Sequence, residues 1–420
     1  MWLPTRGCLL MALWLQVAAA TGAAGRILFS VVSESSDQRG TDVQHKRTTF
    51  RSSAFQLDPG RVLLTHPNTT HLLMPPEPFV ITSLHLEVVR ASDGQSVPLT
   101  EVYNHHVALY AAGGKVGADI VCGGVVDMMD SIFAIGAEAR GTKVEFPDNH
   151  GFAGAGPWLA NIHLIRSEGV PDVKRCIECA CPTGGGSEDC CKHLTICPGF
   201  PLGEKDRNAS DIKGYSLQYT VGWSPSIEQY RLLKYMTLDA TGCQLEFHVP
   251  ARCPWMWRNN NEHGGRVSGG IGLRGSGRDL PSDFVTAIRP PQPGCVEHVS
   301  WDYELPANAE GELVYNKGHI HTGGLNISAY LLRPGEQHPR HLCTSTARYG
   351  TAENFPVAVA GNELGYVVGM STCSFAVGQR PLLRAGDRVC VEAFYRTDLW
   401  FNGVMGLMDF ALAPFQNDLI

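Results

Sequence analysis

The chain has 420 residues, of which 44% are hydrophobic, and a formal net charge of −7 at pH 7. This hydrophobic content is ordinary for a protein that buries a core, and at about 150 residues per domain the length predicts two or three domains. The negative charge argues against nucleic acid and anionic lipid as partners, because both are bound through basic surfaces.

The first 25 residues have the parts of a secretory signal peptide. Arg6 supplies the positive charge, Cys8–Ala20 is an apolar run, and small residues at 18–24 offer cleavage positions. The run is too short to span a membrane, and no later run approaches the about 18 apolar residues that a span requires. We therefore expect cleavage between about Thr21 and Arg26, secretion to the extracellular space or cell wall, and no membrane anchor.

The cysteines agree with an oxidising compartment. Of the 14 cysteines only Cys8 lies in the signal, so the odd number that remains should form disulfides and leave one thiol over. Zinc is the alternative for closely spaced cysteines, but disulfides are favoured in a secreted protein. Six cysteines share the loop 171–205: Cys176, Cys179, Cys181, Cys190, Cys191 and Cys197. N-glycosylation sequons occur at Asn68, Asn208 and Asn326.

Short apolar runs between glycine and proline turns predict strands along the whole chain. These runs alternate polar with apolar residues or are rich in β-branched and aromatic residues, and no long segment has helical periodicity. Examples in chain order are 79–88, 215–221, 244–249 and 388–394. The predicted fold class is all-β, with two jelly-roll-like β-sandwich domains and the Cys-rich loop as an insertion. A break near Pro225 predicts domains at 26–225 and 226–420.

Histidines supply the candidate metal ligands. His319 and His321 are two residues apart, so a regular strand presents both rings on one face. His105 and His106 are adjacent in a predicted strand, and only a distorted strand end would aim both rings at one ion. His163 interrupts the hydrophobic strand WLANIHLI. For each histidine the alternative is a surface residue or a hydrogen-bonded residue of the core.

The residues near these histidines narrow the choice of metal. A cupin needs a glutamate three or four residues after His-x-His, but residues 324–327 are GLNI. A two-histidine-one-carboxylate iron site usually has a His-x-Asp/Glu motif, which is absent at these histidines as well. Histidine sites without a carboxylate fit copper or zinc, and a thioether partner would favour copper.

The order of these motifs resembles the copper type II, ascorbate-dependent monooxygenases, the group of the peptidylglycine-hydroxylating and dopamine-hydroxylating enzymes. In that family a His-His pair and a later histidine form one copper site, whereas a His-x-His and a methionine near the C-terminus form the other. The corresponding residues here are His105, His106 and His163, which we call the first group, and His319, His321 and Met405, which we call the second group.

Longer motifs resemble the stress up-regulated nodulin family of plants and related organisms more closely. The Cys-rich loop resembles that family too. The motifs are EVYNHH at 101–106, GHIHTGG at 318–324, GNELGYVVGMSTC at 361–373 and GVMGL at 403–407.

The monooxygenase resemblance implies two copper ions in separate sites, one in each domain. The first group would hold a copper that stores and passes an electron, and the second group would hold the catalytic copper that binds dioxygen. The implied reaction is hydroxylation of an activated C–H bond in a small-molecule or peptide-like substrate, with a reductant such as ascorbate. Met370 and Met408 are alternatives to Met405 as the sulfur ligand.

The substrate residues differ from those of the amidating enzymes. Lys317 stands where those enzymes place an arginine that binds the peptide carboxylate, so the resemblance implies a substrate-binding role for it. Leu407 and Asp409 replace an asparagine and a tyrosine of that family. These replacements favour the alternative function, a secreted, glycosylated stress or cell-wall protein that binds copper, or no metal, without catalytic turnover.

Overall fold

The structure is a computed structural model. It describes residues 27–66, 69–111, 130–147, 149–154, 156–170, 173–177, 211–253, 294–351 and 359–415. Within these ranges the chain is almost entirely β-strand, which confirms the predicted all-β class. The predicted signal peptide, Asn68, Asn208 and the cysteines from Cys179 to Cys197 lie outside the described residues.

The helices described are short. They are the α-helix α1 (Val173–Ile177) and the 3-10 helices Ala137–Arg140, Ile227–Gln229 and Ala307–Ala309. Among the described residues, no helix has the length and apolar character needed to cross a bilayer.

The strands are numbered in chain order over the described residues. The first thirteen are β1 (Phe29–Ser36), β2 (Lys46–Ser52), β3 (Phe55–Leu57), β4 (Val62–Leu64), β5 (His71–Leu72), β6 (Phe79–Arg90), β7 (Tyr103–Ala111), β8 (Asp130–Ile135), β9 (Val144–Glu145), β10 (His150–Gly154), β11 (Trp158–Ile165), β12 (Lys213–Ser224) and β13 (Arg231–Leu232). The others are β14 (Lys234–Asp239), β15 (Glu246–Val249), β16 (Val296–Glu304), β17 (Gly311–Ile320), β18 (Gly324–Leu332), β19 (Arg340–Tyr349), β20 (Val367–Met370), β21 (Thr372–Ser374), β22 (Leu382–Leu383), β23 (Arg388–Arg396) and β24 (Phe401–Ala413).

Strands β1–β13 form a first pair of sheets. One sheet has the order β1-β2-β12-β6-β10-β13, with β3 beside β12 and β9 beside β6, and the other has the order β4-β11-β7-β8, with β5 beside β11. Leu86 and Tyr219 of one sheet share a buried core with Leu109 and Ile162 of the other. The first pair is therefore a β-sandwich, as the alternating strand patterns predict.

Strands β14–β24 form a second pair of sheets. Their orders are β14-β24-β17-β21, with β15 beside β24 and β22 beside β17, and β16-β23-β18-β19-β20. Leu238 and Phe410 of one sheet share a second core with Ile327 and Val391 of the other. Asn326, the one predicted sequon residue in the described ranges, is half-buried on β18.

Strand β24 lies between the two cores and is buried at all thirteen positions. Met408, Phe410 and Leu412 pack in the second core, whereas Ala411 and Ala413 pack in the first. A strand that is covered on both faces reads as a nearly continuous apolar run, as FNGVMGLMDFALA does. Alternate residues of β24 therefore face the first sandwich.

The described strands pass from the first pair of sheets to the second just after the predicted boundary near residue 225. Strand β13 still pairs with β10, and Tyr235 of β14 packs in the first core. The division of the chain into domains 26–225 and 226–420 stays a prediction.

Disulfide bonds are confirmed. Cys253 pairs with Cys295 and Cys343 with Cys373. Cys176 and Cys243 are disulfide-bonded as well, whereas Cys390 on β23 is a free thiol.

Candidate metal centre

The first group is assembled by neighbouring antiparallel strands, β7 and β11. His106 lies directly opposite His163, and the register shifts at the next residue, which leaves His105 as an extra residue of β7. Such a bulge redirects a side chain that a regular strand would point to the other face. The distortion that adjacent histidine ligands require is therefore present, and the three histidines can each offer a nitrogen within 4.8 Å of the others.

The hydrogen bonds of His106 determine which of its nitrogens can bind a metal. His106 Nε2 lies 2.6 Å from Asn161 Oδ1, and Asn161 Nδ2 donates to the Thr65 carbonyl. Since the amide oxygen accepts from His106 Nε2, the lone pair of His106 is on Nδ1. That atom lies 3.2 Å from Nδ1 of His105. Two imidazole nitrogens thus approach each other as ligands of one ion do.

In the second group, His319 lies at the end of β17 and His321 follows directly after that strand. Their Nε2 atoms are 3.3 Å apart. A tetrahedral ion with metal–nitrogen bonds of about 2.0–2.1 Å holds its ligand nitrogens about 3.3 Å apart. The prediction that the i and i+2 histidines of a strand share one face agrees with this contact.

Glu138 is a site residue that the sequence reasoning missed. It is 1% exposed in the 3-10 helix Ala137–Arg140, and its Oε1 lies 2.7 Å from Nδ1 of His319. The Gly136 N–H also donates to Oε1, at 3.1 Å. Burial acts to raise the pKa of Glu138, but His319 and Lys317 outweigh it and lower the pKa. A carboxylate partner on Nδ1 leaves the His319 lone pair on Nε2, the atom that faces His321.

Met405 lies on the same side of β24 as the second histidine pair. Leu407 is directly opposite His319 in the β17–β24 ladder, so the residue two positions earlier, Met405, faces the same side and continues toward His321. The Tyr395 hydroxyl reinforces this arrangement, because it accepts from the His321 N–H at 3.0 Å and donates to the Met405 carbonyl at 2.5 Å.

The two alternative sulfur ligands lie in a hydrophobic environment. Met370 and Met408 are members of the second hydrophobic core. Met405 is buried, at 8% exposed, but is not among the residues of either core. Of these three methionines, Met405 is the one that lies outside both cores, and its role as the sulfur ligand stays a prediction.

The two histidine groups are in contact. The ring of His105 has its centroid 4.2 Å from that of His163 and 4.6 Å from that of His321. The rings of His319 and His321 are 5.1 Å apart. Sequence reasoning places the groups in separate sites, whereas the structure brings their five rings into one cluster between the two sandwiches, which we call the five-histidine cluster.

The five-histidine cluster fits a soft or borderline metal ion. Burial, together with the neighbouring histidines, lowers the pKa values of His105, His163 and His321 well below the ordinary histidine value. Burial also lowers the pKa of His106 to about 4. A neutral imidazole carries one lone pair that can bind a metal. Neutral nitrogen donors suit copper or zinc, and a thioether from Met405, on the strand that pairs with that of His319, would favour copper.

Lys317 has partners within the protein. Its side chain is fully buried, forms an ion pair with the Asp409 carboxylate, and donates from Nζ to the Ala134 carbonyl at 2.9 Å. Thr237 also donates to Asp409, at 2.7 Å. The predicted contact of Lys317 with a substrate stays a prediction, and in this conformation its ammonium group is enclosed.

Comparison with known sequences decides the family. A sequence profile of the family described as stress up-regulated Nod 19 matches residues 43–251 and 286–414, most of the chain. The protein belongs to the stress up-regulated Nod 19 family. This confirms the resemblance seen in its motifs. All six candidate ligands of this Nod 19 protein lie within the matched residues. No curated protein matches the chain.

Similar solved structures include a Bacillus thuringiensis Cry1Da tryptic core variant, at 6% identity and a TM-score of 0.19. That match covers 82% of the Nod 19 protein, which spans 53% of the Cry1Da chain. Allantoicase matches at 9% identity with a TM-score of 0.15, over 93% of this chain and 91% of its own. The vicilin from Solanum melongena matches at 8% identity with a TM-score of 0.09, over 89% and 76%. Scores of this size carry no argument about fold or function.

Proposed function

We propose that this Nod 19 protein is a secreted copper-dependent oxidoreductase that hydroxylates an activated C–H bond with dioxygen and a reductant such as ascorbate. The observation that carries the proposal is the convergence of five histidines, from both pairs of sheets, on one largely buried cluster, with Met405 on the strand that pairs with the strand of His319. The signal-like N-terminus, the sequons and the disulfides support secretion and glycosylation.

Copper is favoured over zinc by the chemistry of the donors. Burial lowers the pKa values of His105, His163 and His321 and so favours their neutral, metal-binding forms, and the sulfur of Met405 is a soft donor that would stabilise Cu(I). Glu138, a carboxylate that contacts the cluster, is bonded to His319 Nδ1. When bound, copper would supply the one-electron chemistry that dioxygen activation needs.

The protein residues would fix the donor atoms and limit access to them. Asn161 and Glu138 each bond the ring nitrogen that is turned away from the partner histidine, so the ligand nitrogens of His106 and His319 are oriented before any metal binds. His106 is half-buried and the other four histidines are buried. The first group is therefore the side on which reductant or substrate would approach.

The second candidate function is copper binding without turnover. The enclosure of Lys317 favours it, because the lysine that would hold a substrate carboxylate is already bonded to Asp409 and Ala134. Both candidates require copper, and they differ only in oxygen consumption.

Metal analysis and oxygen uptake test the proposal on the purified, secreted full-length protein. We expect bound copper and ascorbate-driven oxygen uptake in wild type, in the presence of a chelator that removes free copper. The His319→Ala variant should lose the uptake, whereas the exposed-histidine control His338→Ala should keep it. Copper without uptake would establish copper binding without turnover, and protein that takes up no copper would refute both copper functions and leave the stress or cell-wall protein without a metal.

A further inference from the structure

We infer that the two histidine groups form a single dinuclear copper centre whose two ions are adjacent and magnetically coupled, in place of two independent sites. The inference rests on the proposed function only in taking copper as the metal. It concerns the relation between the two groups, which the monooxygenase resemblance assigns to separate sites.

His105, a member of the first group, contacts residues of both groups. On one side, its Nδ1 lies 3.2 Å from Nδ1 of His106 and its ring centroid lies 4.2 Å from that of His163. On the other side, its ring meets the ring of His321 at an interplanar angle of 90° and a centroid distance of 4.6 Å. Aromatic rings at this spacing are in direct contact. The ligands of the two ions therefore touch, with no layer of solvent or protein between His105 and His321.

Gly136 shows how closely the backbone is fitted between the groups. A Cβ atom at this position would lie 2.6 Å from the His105 carbonyl oxygen and 2.7 Å from Cε1 of His319. Both distances are shorter than real Cβ contacts, so a side chain here would have to push the two groups apart. Glycine allows the strand of the first group and the ring of the second group to approach.

The segment around Gly136 is also bonded to the second pair of sheets on both sides of the cluster. Upstream, the Ala134 carbonyl accepts from Lys317 Nζ. Downstream, the Thr142 hydroxyl accepts from the Met370 N–H at 3.0 Å, and the Lys143 carbonyl accepts from the Tyr315 hydroxyl at 2.8 Å. The same segment is bonded to the strand of the first group, because the Asn104 side chain donates to the Gly136 carbonyl at 2.8 Å. Together with the Glu138–His319 bond, these contacts join the strand of the first group to the second group.

Electron paramagnetic resonance of the copper-loaded, oxidised protein tests the inference. Two adjacent Cu(II) ions lose their separate mononuclear spectra, either through exchange coupling, which removes most of the signal, or through dipolar coupling, which adds a half-field transition. We expect one of these results in wild type and in the His338→Ala control, at two coppers per chain.

Two variants separate the inference from the proposed function. His106→Ala should bind one copper and show a mononuclear spectrum that integrates to all of it. Gly136→Ala, if it keeps both ions, should regain mononuclear signals because its methyl group pushes the groups apart. Two unperturbed mononuclear spectra in wild type, or a single copper per chain, would overturn the inference and leave the proposed chemistry standing. Failure of wild type to bind copper would instead refute the proposed function.

Discussion

Replacing Lys317 with methionine tests whether this residue stabilises the fold or binds a substrate. Lys317 and Asp409 are both fully buried and form an ion pair. Removing the ammonium group leaves the Asp409 carboxylate buried without its counter-ion, a change that costs about 3–5 kcal/mol in comparable pairs. Thr237 still donates to Asp409 and partly compensates the carboxylate. We therefore expect Lys317→Met to lower the free energy of unfolding by about 3 kcal/mol, the lower end of that range.

The matched control is the double variant Lys317→Met with Asp409→Leu. When both charges of a buried pair are replaced by apolar residues of similar volume, stability is often unchanged or higher. The double variant should therefore recover most of the stability that the single variant loses. The measurement is urea unfolding of the secreted protein with its disulfides intact, at constant m-value. Wild-type stability in the Lys317→Met variant, together with weaker binding of a carboxylate substrate, would refute the structural role and support the substrate role.

Three further predictions concern the metal centre and the free thiol. Glu138→Gln should weaken Cu(I) binding by about 10–100-fold in a chelator competition, because it removes the charge of the group that orients His319. The control is Glu363→Gln, which neutralises another buried carboxylate and should leave Cu(I) binding unchanged. Met405→His should abolish the copper–sulfur scattering shell in X-ray absorption of the reduced protein, and its persistence would exclude Met405 as the ligand. Burial raises the pKa of the Cys390 thiol to about 12, so iodoacetamide should alkylate it slowly at pH 8 until denaturant is added.

Much of the candidate site could be predicted because its patterns are local. Spacing of two residues places His319 and His321 on one face of any strand, and the structure agrees. Alternating apolar runs predict an all-β fold for the same reason, since side-chain direction in a strand depends only on position along it. The motifs around the histidines were also long enough to indicate the family to which the chain belongs.

The relations between distant segments were decided by the tertiary structure. Glu138 and His319 are 181 residues apart, and nothing in the sequence near either one marks the other as its partner. The bulge that turns His105 toward His106 arises in the pairing of β7 with β11. The contact of His105 with His321 arises where two sandwiches meet. The sequence by itself determined which side chains could bind a metal, because ligand type and strand periodicity are local properties. Whether they form one centre or two depends on how the sheets pack, since packing alone sets the distance between residues that are remote in the chain.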